Sequence, residues 1–373
     1  MAIGPFLWGI ISPMQFSRTL ARWFPVPHLL APQAAGVDIT DASVKWLLFD
    51  ARGEALRLAS YGSQKIPERV VERGTIKDTH TLAEVLGDIR KREKLLFAHA
   101  ALPEEDAYVF SMHVPPGSPP AQARAMIEFE LEGRVPIPPS EAVFDYDVVA
   151  RHDENGEEIA VSVFPRDLAE GYTESFAKAG IELLSLEIEA RSIARAVSQK
   201  GRDLTTLLVD CGHARTGVAV LVHGIPIFTS TIDIGGQHLS KAVMDALSIS
   251  EDEAQVFKNE HGLVPDPSVQ KGVEALEKVA STLADEIGRH YRFWETRRSE
   301  RNERSMPVER VFLLGGSANL KGFPEFIAGK VRALTERPNV WRNVFSFDDY
   351  IPPIDFRTSF QYATAVGLAL RNR

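Results

Sequence analysis

The sequence predicts an α/β protein of two similar halves, with a small α+β subdomain inserted into the first. Three stretches predict it. Residues 207–224, LLVDCGHARTGVAVLVHG, read as a buried strand, a tight turn carrying Asp210, Gly212 and Thr216, and an antiparallel return strand. Residues 36–49, GVDITDASVKWLLF, repeat that plan, with Asp38 at a strand end, a short polar turn and an apolar return strand. Residues 311–320, VFLLGGSANL, are a buried strand running into Gly315-Gly316-Ser317 and a helix start. A carboxylate at a strand end can hold Mg²⁺ or order its waters. Gly212 lets backbone N–H groups approach a phosphate with no Cβ in the way, and Thr216 adds a hydroxyl. Alone, an acid followed by glycine is an ordinary turn. Its repetition in two halves, with a late Gly-Gly loop, gives it weight.

In chain order, residues 1–35 form an arm and linker. Ser17 caps a short helix that puts Phe16, Leu20, Trp23 and Phe24 beside Arg18 and Arg22. Such a helix in residues 1–24 suits peripheral contact with an anionic membrane surface, or docking on its own domain. Pro25, Pro27 and Pro32 stiffen the linker. Residues 36–114 are the first part of the first half: a three-strand meander with a turn at 51–54, a helix over 81–91, and strands over 97–102 and 109–114. Residues 115–180 are the insert. A proline break precedes a helix over 121–134, and a hairpin turns at Asn155-Gly156. A helix over 168–179 ends at Gly180.

The first half resumes over 181–203, with a strand to Ile188 and a helix from Ala190. The second half begins at 204–245. A helical subdomain over 246–305 opens on the capping box Ser250 to Glu253. Its long helix, 273–298, carries Leu276, Ala280, Leu283, Ile287, Tyr291 and Trp294 at core spacing. Arg289, Arg292, Arg297, Arg298, Arg301 and Arg304 alternate with acids and read as a solvated, self-paired face. Residues 306–373 finish the second half with a helix from about 323 to 334. A closing helix over 362–370 has Ala363, Ala365, Gly367 and Ala369 for close packing.

Composition bounds the function. A chain of 373 residues can bury a sizeable core, and 44% hydrophobic against 25% charged residues is an ordinary globular balance. A net charge of −9 argues against nucleic acid as the main partner. Cys211 is the single cysteine, so no internal disulfide forms and a reducing cytosol fits. No stretch reaches the ~20 apolar residues that span a bilayer. Residues 1–11 lack a basic start and make a poor signal peptide. There is no G-x-x-x-x-G-K-[ST] loop, no H-E-x-x-H, no G-x-S-x-G and no metal-ligand spacing among the histidines.

The two hairpins and the Gly-Gly loop resemble the actin-like ATPase fold, in which two RNase H-like core halves flank a nucleotide cleft. The insert narrows the resemblance to FtsA and, more closely, to the PilM family of the type IV pilus machinery. The matching stretches are EFELEGRVPIP (128–138), FDYDV (144–148), IGG (234–236), EAQVFK (253–258) and ADEIGR (284–289), and the likeness runs over residues 36–373. It implies an ATP- and Mg²⁺-binding protein, cytoplasmic and peripheral to the inner membrane, whose insert and first core subdomain grip the cytoplasmic tail of PilN. PilO and PilP would be linked indirectly, and the pilus motor ATPases or platform protein would lie on the other side.

The resemblance assigns Asp38 and Lys45 to the first phosphate loop, and Asp210, Gly212 and Thr216 to the second. Asp38 and Asp210 would hold Mg²⁺ through water. Gly235 and Gly236 match the turn between subdomains, Glu253 and Lys258 the helix framing the adenosine, and Gly315, Gly316 and Ser317 the adenosine loop. Glu187 and Glu189 stand near the attacking water, where the family has Asp, as catalytic candidates. Thr40 replaces a loop glycine. A β-branched residue resists positive φ, so this loop is expected to close differently. His213 replaces a small residue beside the phosphate. ATP binding is expected to survive these changes and hydrolysis to be weak or absent, because it needs its water placed within about an ångström. The alternatives are the cytoplasmic platform of type II secretion, whose chains continue into a membrane span, and a small-molecule kinase of the same superfamily.

Overall fold

The computed structural model describes residues 33–50, 56–152, 156–199, 201, 204–298 and 305–371. The expected arm helix, the 51–54 turn, Asn155, Arg301 and Arg304 lie outside them.

Strands β1 (Ala34–Ile39), β2 (Ser43–Asp50) and β3 (Arg57–Lys65) form the expected antiparallel meander. A short hairpin, β4 (Val71–Glu72) and β5 (Thr75–Ile76), leads to α1 (Thr79–Glu93). The Asp78 carboxylate caps α1 by accepting from the N–H groups of His80 and Thr81, each at 3.0 Å. β6 (Phe97–Leu102) then lies parallel to β1.

Here the chain leaves the first half. β7 (Tyr108–Val114), α2 (Pro120–Arg134), β8 (Ala142–His152) and β9 (Gly156–Pro165) build a separate sheet in the order β7-β9-β8. Its core gathers Phe110, Met112 and Val114 with Ile127 and Leu131 of α2. The strand expected over 109–114 therefore belongs to the insert, because its apolar alternation faces α2 and its backbone pairs with β9. At the other end, α3 (Arg166–Ala179) belongs to the first half, where Leu168, Tyr172 and Phe176 enter the core.

β10 (Glu182–Ile188) completes the first sheet, and α4 (Glu189–Val197) leads to the second half. There β11 (Thr206–Cys211), β12 (Thr216–Val222) and β13 (Ile225–Ile232) repeat the meander. Helices α5 (Gly236–Leu247), α6 (Glu251–Glu260) and α7 (Gln270–Thr296) follow. β14 (Arg310–Leu314), α8 (Phe323–Val331) and β15 (Leu334–Glu336) complete the sheet. α8 is shorter than expected because Arg332 turns left-handed at φ 56 and residues 334–336 pair with β14. Two short helices, α9 (Phe356–Ser359) and α10 (Ala363–Ala369), end the fold. The sheet orders, β10-β6-β1-β2-β3 and β15-β14-β11-β12-β13, are the same topology twice. Among the described residues, no helix is long and apolar enough to cross a membrane.

The small residues of α10 have the expected role. It wedges between β1 and α4 so tightly that a Cβ at Gly36 would overlap the Ala365 carbonyl, and one at Gly367 the Ser192 carbonyl of α4. Arg195 of α4 donates to the Gly367 carbonyl at 2.7 Å. Asn343 donates to the carbonyls of Arg195 at 2.9 Å and Ser198 at 2.7 Å, closing the end of α4.

Gly367→Ala is therefore expected to cost about 3 kcal/mol or more in urea denaturation, because backbone rather than a mobile side chain blocks the methyl group. Gly329→Ala in α8, where an added Cβ meets nothing within 4 Å, is the control and should stabilise by up to about 1 kcal/mol.

Candidate functional site

The two meander turns and the loop after β14 meet where the halves face each other. Antiparallel register sets Lys45 opposite Asp38, and the Lys45 ammonium lies 3.5 Å from the buried Asp38 carboxylate. The turn between β1 and β2 closes without a positive φ. Thr40 supplies the closure: its N–H donates to the Ser43 carbonyl at 2.9 Å, and its hydroxyl accepts from the Ser43 N–H at 3.2 Å.

In the second half, the turn after β11 is pinned from below by the start of α5. The N–H of Gly236 donates to the Gly212 carbonyl at 2.9 Å, and that of Gln237 to the His213 carbonyl at 2.8 Å. Gly235 lies against this turn, where a Cβ would sit 2.5 Å from the Arg215 nitrogen. Gly315, at φ 78, packs its backbone onto Cys211 and the Asp210 carboxylate. A Cβ on Gly236 would meet the Ser317 hydroxyl at 2.8 Å. The structure thus gathers Asp210, Gly212, His213, Gly235, Gly236, Gly315, Gly316 and Ser317 around one point. Burial, followed by the Lys258 charge, lowers the pKa of half-buried His213. Cys211 is buried and its thiol is pushed up by desolvation, so it packs rather than reacts.

Four assigned side chains are committed elsewhere. Glu187 is gripped by Arg195, at 2.5 and 2.7 Å, and by Arg371, in an ion-pair network under α10. These two guanidinium groups engage both oxygens of the buried Glu187 carboxylate. The Thr216 hydroxyl donates to the Ile234 carbonyl at 2.7 Å and braces β12. Glu253 is exposed and accepts from Ser250 N–H at 2.8 Å as the helix cap. Lys258 is buried and donates to the Gly236 carbonyl at 3.0 Å, Ser240 at 2.9 Å and Gln255 at 3.0 Å. Desolvation brings its pKa down to about 8. All three brace the backbone around the loops.

Beside the catalytic candidate Glu189, the cleft holds Glu104, Glu105, Asp41 and Arg215, to which the motifs did not point. Glu104, in the turn after β6, accepts from the Ala190 N–H at 2.9 Å and reaches Gly217 of β12, where a Cβ would meet its Oε2 at 2.7 Å. Glu105 and Asp41 both receive Arg215. Glu189, at the start of α4, is raised well above the usual carboxylate range by burial, then by Asp38 and Glu105. Burial, Asp210 and Glu105 push Glu104 up to about 8; burial and Asp38 push Asp210 up to about 6. Glu104 and Glu105 had a readable signal, since they stand just beyond the end of β6, as Asp38 and Asp210 stand near the ends of β1 and β11.

The charges of Asp38 and Asp210 act on each other in a dry site, with the Lys45 ammonium beside them. No group of three ligating side chains stands together among the described residues. At the phosphate end the cations are already engaged, Arg215 by Asp41 and Glu105 and Lys45 by Asp38, among side chains that are mostly acids.

Glu104 keeps its proton to about pH 8 when folded, against a reference of 4.5. Between those values the unfolded chain has lost a proton that the folded chain retains. Stability therefore falls as pH rises, by about 1.4 kcal/mol per pH unit from this group. Glu104→Gln can still accept from Ala190 but does not ionise. Its urea midpoint is expected to overtake the wild type's on going from pH 5 to pH 8, roughly this window. Parallel pH profiles would remove Glu104 as the source of the slope.

Comparison with known proteins adds to this geometry. A solved "PilM-PilN type IV pilus biogenesis complex" is similar with TM-score 0.76 and 19% identity, covering 91% of this chain and 98% of that one. The ethanolamine utilization protein EutJ from Carboxydothermus hydrogenoformans matches at TM-score 0.54 and 19% identity, covering 93% of this chain and 91% of that one. MreB 5 of Spiroplasma citri, bound to AMPPNP, matches at 0.52 and 12% identity, covering 91% and 96%. These likenesses establish the actin-like ATPase fold. The family described as type IV pilus assembly protein PilM matches over residues 36–373, and the chain belongs to that family.

Proposed function

We propose that this protein is a scaffold of type IV pilus assembly, held at the cytoplasmic face of the inner membrane by the N-terminal cytoplasmic tail of PilN. The family match over residues 36–373 carries this reading, and the named partner of its structural relative supports it. PilO and PilP would be joined through PilN, and the pilus motor ATPases or platform protein would contact the opposite side.

The insert is placed to report on the rest of the molecule. Arg191 of α4 donates to Asp147 of β8 at 2.9 Å and to the Gly224 carbonyl of the second half at 3.1 Å. His223 meets the Val149 carbonyl at 3.0 Å. Both halves therefore touch the insert, and a change in their closure reaches it. A groove on the insert, lined by Met112, Ala125, Met126 and Phe129, offers an apolar seat, with Phe129 83% exposed.

ATP and Mg²⁺ remain the ligands to test. In this reading the loops packed around Gly236 and Gly315 would take the adenosine. Asp38 and Asp210 would hold the cation, whose chemistry would be to neutralise phosphate charge. A phosphate there would have to displace Arg215 from Asp41 and Glu105.

A fluorescent peptide of a PilN-type cytoplasmic tail is expected to bind the purified protein in an anisotropy titration. Phe129→Ala, which leaves the fold unstrained, should weaken it by about tenfold, the effect of removing one ~1.4 kcal/mol apolar contact. No binding by the wild type would sink the scaffold reading. Binding unaffected by Phe129→Ala would move the seat off this groove.

A further inference from the structure

Arg215 stands in the turn between β11 and β12 of the second half, yet its guanidinium is held by the first half. Its Nη2 donates to Asp41 Oδ2 at 2.6 Å, and its Nε lies 2.5 Å from Glu105 Oε1. The three side chains are only 13%, 28% and 15% exposed, in the order Arg215, Asp41, Glu105. Asp41 is itself fixed, because its other oxygen accepts from the Gly74 N–H at 2.9 Å. Beside Gly74, Arg73 makes a second bridge between the halves, 3.2 Å to Asp233, but that pair is about two-thirds exposed and contributes little.

We propose that Arg215 is an internal latch that closes the cleft without a nucleotide, and that a phosphate can enter only by taking the guanidinium from Asp41 and Glu105. Where an anion joins two loops, both loops must present donors. Here the charges are reversed, with carboxylates on one half and a cation from the other. Two short charge-assisted bonds in a partly dry site are strong enough to set the closed state. An entering phosphate would find Lys45 engaged by Asp38 and Lys258 engaged by Gly236, Ser240 and Gln255. It would also leave Asp41 and Glu105 facing it with no cation between them, an arrangement that costs the most where water is excluded. The closure does not depend on the PilN reading. Only the entry clause rests on the nucleotide reading.

The test compares the nucleotide-free wild type with Arg215→Ser, the paired Asp41→Asn/Glu105→Gln variant and the exchanged Arg215→Asp/Asp41→Arg variant. Hydrogen exchange should be at least about tenfold faster at residues 40–42 and 212–215 in Arg215→Ser and in the paired amide variant, with β2 and β12 as protected as in the wild type. The exchanged variant should recover part of the lost protection. Unchanged exchange in the amide variant, which removes charge but no volume, overturns the latch even if Arg215→Ser fails to fold. In parallel Mg-ATP titrations, the amide variant should bind about tenfold more tightly than the wild type, because its Arg215 is free for phosphate. Equal affinity overturns the entry clause. No binding by any variant refutes the nucleotide reading together with that clause, while the exchange result still decides the latch.

Discussion

The crossing of α4 and α10 at Gly367 fixes the geometry on which everything else depends. α4 carries the chain from the first half to the second, and α10 returns it to β1. With no side chain at Gly367, the helices approach until backbone meets backbone, and Arg195 holds the contact through the Gly367 carbonyl. Glu187 and Arg371 then surround that guanidinium with an ion pair that burial makes hard to break. The crossing fixes α4 against β1, while Asp41, Glu105 and Arg215 join the two halves through side chains alone.

Much of this was written in local sequence. An acid at a strand end, a polar turn and an apolar return strand identified both meanders, because each depends only on neighbours within about a dozen residues. The small residues of the closing helix announced a close contact, though not its partner. What was not legible depends on distant placement. Glu187 and Glu189 look equivalent in the sequence, but one ends a strand facing Arg195 and Arg371, while the other begins a helix facing the acids. Nothing in the stretch 108–114 says which sheet it joins. Arg215 and Asp41 read as ordinary turn residues until the two halves face each other.

The cleft is acidic and dry together, and these properties oppose one another. Glu104, Glu189 and Asp210 are all shifted toward their protonated forms by burial. Glu104 bridges α4 and β12 in that state, so a carboxyl group holds the two halves together mainly as packing and hydrogen bonding. Arg191 extends the same junction into the insert. The α10 crossing, the acids and the insert all meet α4.

The position of α10 also bears on how the chain comes to be folded. Its residues Ala363, Ala365, Val366 and Ala369 complete the core that contains Ala35 and Val37 of β1. The first half is therefore assembled from opposite ends of the described chain, with the insert and the second half in between. During synthesis, β1 emerges long before the helix that must cover it, whereas the sheet and helix of the insert can meet at once. The first half to be made is the last to be finished, and until then its β1 face is apolar surface awaiting a cover.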